Sequence, residues 1–232
     1  TEKIHSRNNY TWTHPVHEVL TYMGDKKEVK EQTDLITLNH YPDPTKSRSN
    51  YLPLLELSVK EDPEDDRNMH YLGREYMYHQ KYNEAIDTLI RHLSLKRATW
   101  KDERAASMRF IARCYTELKR YKEAKMWYQE AINEAPYLRD AYVELAILES
   151  TLFEYEESKN HCLKALEIKT HPKTYINEQF SFNHTIYDLL SISYYYLKDY
   201  PKSLEYINKA LLVSPDNKRL QDNKIIIEKA IQ

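Results

Sequence analysis

The sequence predicts a mainly α-helical chain built as a solenoid of antiparallel helix pairs, and three observations predict it. Only two glycines occur among 232 residues, with nine prolines and 30% charged residues. Sheet-rich folds need more turn glycines than this. The tetrad "YNEA" recurs downstream as "YKEA", "YEES" and "YPKS", each marking the same turn and the start of a second helix. Finally, Gly73 stands inside "YLGREYMYHQKYNEAIDTL", a helical stretch where glycine costs about 1 kcal/mol relative to alanine. A glycine placed there implies that another backbone comes close.

The repeats justify each helix pair in turn. Residues 66–99 carry Leu72, Gly73, Tyr76, Ala85 and Leu89. Residues 105–138 carry Ile111, Ala112, Tyr115, Ala124, Tyr128, Ala131 and Pro136. Residues 139–172 carry Tyr142, Leu145, Ala146, Ser158, Cys162 and Ala165, and residues 184–217 carry Tyr187, Leu190, Ser191, Tyr194, Ser203, Ile207, Ala210 and Pro215. This spacing resembles the 34-residue tetratricopeptide (TPR) unit, two helices packed face to face with small residues at the eighth and twentieth positions. Gly73 and Ala85 take those positions in the first unit, and Ala112 and Ala124 in the second. The spacing is uneven: five extra residues precede the second unit and eleven precede the fourth. Insertions of this kind map to loops on one face, often a functional one.

The ends of the stack have their own signals. "NYLPLLELSVKEDP", residues 50–63, reads as a half-repeat at one end. Residues 218–232, with Leu220, Ile226 and Ile227 on one side, read as the solvating cap helix at the other. Acids in "DPEDD", residues 62–66, suit the N-terminal end of a helix dipole. Residues 46–232 are thus expected to form a TPR domain. Residues 1–45 differ in composition: "YTWTHPVHEVLTY" and "DLITLNHY" alternate like strands, with a Gly24–Asp25 turn signal between them. Two strands alone are marginal in water, so they are expected to belong to a sheet completed by residues before Thr1. A first residue of Thr rather than Met fits a piece of a longer protein.

Composition narrows the function classes. Lys+Arg 34 against Asp+Glu 36 leaves no basic footprint for nucleic acid. No apolar run approaches a membrane span. Cys114 and Cys162 are too few for a disulfide framework and fit a reducing, cytoplasmic setting, each as a buried inert thiol.

In order along the chain, Trp12, Val16–His17–Glu18, His40–Tyr41, "SRSNYLPLLE", Glu61–Asp62–Pro63 and Tyr71–Leu72–Gly73 resemble the end of the catalytic domain in bacterial family 2 (GT-A type) glycosyltransferases that carry TPR repeats. The likeness covers residues 5–95. It implies that residues 1–45 are the last strands of a catalytic domain, and that the parent transfers a sugar from a nucleotide-sugar donor. His17 would then complete a divalent metal site (Mn²⁺ or Mg²⁺), Glu18 would be catalytic and Trp12 would shape the acceptor side. A neutral imidazole beside carboxylates suits metal-assisted departure of a phosphate. This portion alone is expected to be inactive and to bind no metal. The bland reading of His17 is a strand histidine bonded to a neighbouring loop.

On the concave face, first-helix positions two, five and nine bring Arg67, His70, Arg74, Arg109 and Arg113 into one strip. Such a strip suits an acidic peptide, a phosphate or an anionic glycan, and so a protein or glycan acceptor; glutamates paired with the arginines along the helices are the simpler account of them. The alternative to the enzyme is a non-catalytic TPR adaptor that binds other proteins.

Overall fold

The computed structural model describes residues 8–13, 15–16, 19–29, 31, 35, 51–172 and 174–232. Among them, a two-stranded antiparallel sheet precedes ten α-helices. The helices are α1 (Tyr51–Glu61), α2 (Asp66–Tyr78), α3 (Tyr82–Ser94), α4 (Lys101–Glu117), α5 (Tyr121–Glu134), α6 (Arg139–Thr151), α7 (Tyr155–Glu167), α8 (Thr185–Tyr196), α9 (Tyr200–Val213) and α10 (Lys218–Ile231). Consecutive helices pack on one another, and first helices also touch across repeats, α2 on α4, α4 on α6 and α6 on α8. The result is a TPR-like helix-pair solenoid.

Small residues set the crossings within each pair. Gly73 and Ala85, Ala112 and Ala124, Ala146 and Ser158, and Ser191 and Ser203 are all buried. A Cβ on Gly73 would lie 2.5 Å from Cγ of Leu89, which is fully buried. The atom that demands glycine is thus the Leu89 side chain, one helical turn past the Ala85 that the repeat register pairs with it. In later pairs serine stands at the Ala85 position and satisfies itself across the crossing: Ser158 Oγ donates to Ala146 O at 2.9 Å, and Ser203 Oγ donates to Ser191 O at 2.8 Å.

The turns between paired helices repeat with equal fidelity. Gln80, Lys119, Phe153 and Lys198 all adopt φ of 59–64°, the left-handed region. Each sits at the same place in its pair. The following N–H closes a six-residue turn, as in Lys81 N to Tyr76 O at 2.9 Å and Arg120 N to Tyr115 O at 2.8 Å. These are Schellman C-caps, which satisfy carbonyls that the helix end leaves unpaired. At the other ends, Asp65 caps α2 by accepting from Asn68 N at 2.9 Å, and Asn217 caps α10 by accepting from Leu220 N at 3.3 Å.

Two expectations change at the ends. The stretch 10–22, expected as one strand, forms a hairpin: β1 (Tyr10–Thr13) pairs with β2 (Val19–Tyr22), Trp12 opposite Leu20. Pro15 explains the break, because proline cannot donate to a ladder. The hairpin is anchored by Val16, which is buried in a cluster with Leu52, Leu55, Val59 and Met69 from α1 and α2. The strand expected over 34–41, including His40–Tyr41, lies outside the described residues apart from Leu35. In α10, Leu220 and Ile227 are buried as seven-residue spacing requires, but Ile226 is 52% exposed. It precedes Ile227 by one residue, a rotation of about 100° that carries it off the packed face.

Candidate functional site

The concave face is assembled from first helices, and it brings together most of the strip expected from the sequence. His70 and Arg109 are buried, Arg74 and Arg113 are half-buried, and Arg67 is exposed. Arg109 and Arg113 lie one turn apart on α4 and share Glu144 from α6. Arg109 Nη1 donates to Glu144 Oε1, while Arg113 Nε donates to Oε2 at 2.7 Å and Arg113 Nη2 to Oε1 at 2.8 Å. Burial opposes the Glu144 charge, but Arg113 and Arg109 hold its carboxyl below the usual carboxylate range. Arg74 lies over the Tyr71 ring at 4.8 Å.

The groove above these arginines holds a piece of the chain itself. The long insertion before α8 turns back onto the concave face through residues 174–178, "TYINE". Ile176 is buried in the cluster that α2, α3 and α4 build together, and its carbonyl accepts from Arg109 Nη2 at 2.6 Å. Glu178 accepts from Arg113 Nη2 at 2.5 Å. Asp140 on α6 clamps the backbone, accepting from Glu178 N at 2.6 Å and from Asn177 Nδ2 at 3.1 Å. The Tyr175 hydroxyl donates to Glu103, and its ring lies 5.6 Å from Tyr71 and 5.8 Å from Trp100.

Beneath Tyr175 lies a buried polar knot. Ser107 Oγ sits 2.7 Å from His70 Nδ1 and 2.9 Å from His92 Nδ1. Burial pushes the His70 imidazole down to about 3, so it is neutral. His92 Nε2 stands 3.6 Å from Glu103 Oε1, and neither His70 Nε2 nor His92 Nε2 has a hydrogen-bond partner. Burial opposes the Glu103 charge, yet its polar neighbours, the donating Tyr175 hydroxyl among them, hold the carboxyl down at about 2.

The remaining sequence candidates are placed as follows. His17 and Glu18 lie outside the described residues. Trp12 is 61% exposed on β1. Cys114 and Cys162 are buried free thiols, and burial pushes Cys114 up to about 12. Between α8 and α10 the groove stays open, with a cavity of about 410 Å³ lined by Tyr195, Tyr196, Ile226 and Arg219. Arg219 there is paired with Asp188 at 2.6 Å.

Repeat counting located the arginines, but it missed Glu144, Asp140 and the groove-filling segment. Asp140 occupies the second position of its unit, so the same count would have placed it on this face. No helix among the described residues is long and apolar enough to cross a membrane.

Residues 110–137 and 184–217 match the tetratricopeptide repeat family model. These stretches are TPR units. No curated protein matches the sequence. Solved structures resemble the TPR solenoid at low identity. MamA aligns at TM-score 0.57 and 19% identity over 72% of this chain and 89% of that one. The C-terminal part of a TPR repeat-containing protein from Cytophaga hutchinsonii aligns at TM-score 0.62 and 17% identity, over 78% of this chain and 66% of that one. YrrB, described as a TPR protein with an unusual peptide-binding site, aligns at 0.54 and 17% over 75% of this chain and 81% of its own. At these identities the likeness extends to the fold.

Proposed function

We propose that this chain is a protein-interaction scaffold whose concave groove takes a turn-forming partner segment bearing an aromatic, an aliphatic and an acidic side chain. The observation that carries this reading is the seating of residues 174–178. A turn, closed by Asn177 N donating to Thr174 O at 3.3 Å, occupies the groove through a buried Ile176, a bonded backbone at Ile176 and Glu178, and a carboxylate on Arg113. Backbone bonds supply affinity without regard to sequence, and the three side chains supply choice. The internal segment acts as a resident competitor that a partner must displace.

The test uses the segment itself. A variant with residues 174–178 replaced by Gly and Ser is titrated with the synthetic peptide PKTYINEQF. Micromolar binding is expected, and the peptide with Ala at the Glu178 position should bind about tenfold more weakly, since it loses a charge-assisted bond. The unaltered protein should bind the peptide far less, because a tethered competitor acts at an effective concentration near the millimolar range. No binding to the variant, or equal binding to both proteins, overturns the proposal.

The glycosyltransferase reading rests on the ordered likeness of residues 5–95 alone. It calls for an Asp-x-Asp motif before Thr1, and for sugar transfer that His17→Ala abolishes. Sequencing the parent gene upstream tests the first requirement directly.

A further inference from the structure

We infer that Asp66, His92 and Glu103 form a divalent-cation site, suited to Zn²⁺, at the junction of the first two helix pairs. The three residues come from three helices: the first turn of α2, the last turn of α3 and the first turn of α4. Their donor atoms all lie within 4.8 Å of one another. His92 and Glu103 are buried and Asp66 is half-buried, which leaves one side toward water. Its three residues do not include His17, which the glycosyltransferase likeness assigns to a metal.

Three features set the cluster apart from chance acidic neighbours. First, His92 Nε2 is fully buried, aimed at Glu103 and without a hydrogen bond. A buried polar atom left unpaired costs about 1–3 kcal/mol, so it calls for a partner. Second, two carboxylates converge where burial makes like charges expensive, and a bound cation would relieve both. Third, the other ring nitrogen is already held. One hydroxyl hydrogen on Ser107 serves two imidazoles, so one ring must donate to Ser107 while the other accepts from it. When His92 Nδ1–H donates and Ser107 O–H passes on to His70 Nδ1, the His92 Nε2 lone pair is bare. That is how a ligating histidine is oriented from behind. Tyr175, donating to Glu103, orients a second ligand in the same way.

The donor set selects the metal. One imidazole and two carboxylates, with an open side for water, match the three-protein-ligand pattern of zinc. Ca²⁺ and Mg²⁺ prefer six or more oxygens and gain little from imidazole. Bound metal would pin α2, α3 and α4 together beneath the groove and, through Glu103, stiffen the seat of Tyr175.

Calorimetric titration of the metal-stripped full chain with ZnCl₂ tests this, with the thermal midpoint read in parallel. One tight equivalent is expected, with a midpoint that rises until that equivalent is filled. Glu103→Gln and Asp66→Asn, both nearly isosteric, should each weaken binding by about tenfold or more and remove the midpoint rise. Asp66 is only half-buried, so its variant keeps the test valid if Glu103→Gln folds poorly. His79→Ala, which alters a surface histidine beside Glu75, should change neither readout. MgCl₂ at the same concentration should leave the midpoint unmoved. The inference is overturned if Zn²⁺ fails to bind, if the two ligand variants bind as the parent does, or if His79→Ala alone removes the tight equivalent.

Discussion

At the scale of single residues, the concave face depends on Glu144 more than on either arginine. It is 5% exposed, lies beneath two guanidiniums and compensates Arg109, which is 2% exposed. Removing one partner of a buried pair leaves the other charge stranded, at a cost of about 3–5 kcal/mol. Glu144→Gln should therefore unfold in urea with a loss of that size at pH 7. The sign of its pH dependence follows from the lowered carboxyl. The native state keeps the charge to a lower pH than the unfolded chain does, so the contribution is whole above the ordinary carboxylate range. It disappears as pH falls below that range. Denaturation curves of parent and variant should converge under acid, and a constant gap down to pH 3 would contradict the pairing. The arginines were legible in the sequence because repeat position alone fixes the face of a helix. Their partners were not: Glu178 reaches Arg113 from 65 positions downstream, and no local pattern encodes that distance.

At the scale of elements, the helix pairs were readable because small residues twelve apart recur, and that signal is steric. Its clearest case is Gly73, where an added Cβ would sit 2.5 Å from a buried leucine branch carbon. Two effects oppose each other in Gly73→Ala. Helix propensity favours alanine by about 1 kcal/mol, and overpacking a filled crossing costs about 1–3 kcal/mol. Because Leu89 is fully buried and the near atom is its Cγ rather than a free tip, overpacking should win. A lower thermal midpoint is the expected outcome, and Gly73→Ala with Leu89→Ala should restore helix packing relative to Leu89→Ala alone. A Gly73→Ala protein more stable than the parent would show that the crossing yields. The turns were less readable. Gln80, Lys119, Phe153 and Lys198 share a left-handed conformation that usually announces itself as glycine, and none is glycine. The hairpin was misread for a similar reason: alternation ran through Pro15, which outweighs it.

At the scale of the whole molecule, the groove-filling segment changes how the solenoid holds together. In a stack of repeats each unit touches only its neighbours, so stability is a sum of local terms and the ends fray first. Here residues 174–178, which precede the fourth pair, reach back across three others. Tyr175 meets Tyr71 on α2, Ile176 joins the buried cluster that α2, α3 and α4 share, and Glu178 joins Arg113 on α4 while Asp140 on α6 holds its backbone. The repeat spacing showed that the insertion was extra; its destination depended on burying Ile176 and pairing Arg113, which only the folded groove offers. The segment thus couples α2–α3 to α6 beyond their shared neighbour. Ile176→Asp should break that coupling by placing a charge where 3% of the side chain is exposed. Hydrogen exchange reads the consequence by region. Protection in α2, α3 and α4 should fall toward that of a fraying end, while α9 and α10, which the segment does not touch, should keep theirs. Uniform loss along the chain would mean that Ile176 is an ordinary core residue, and unchanged protection in α2 would mean that the segment rests on the groove without bracing it.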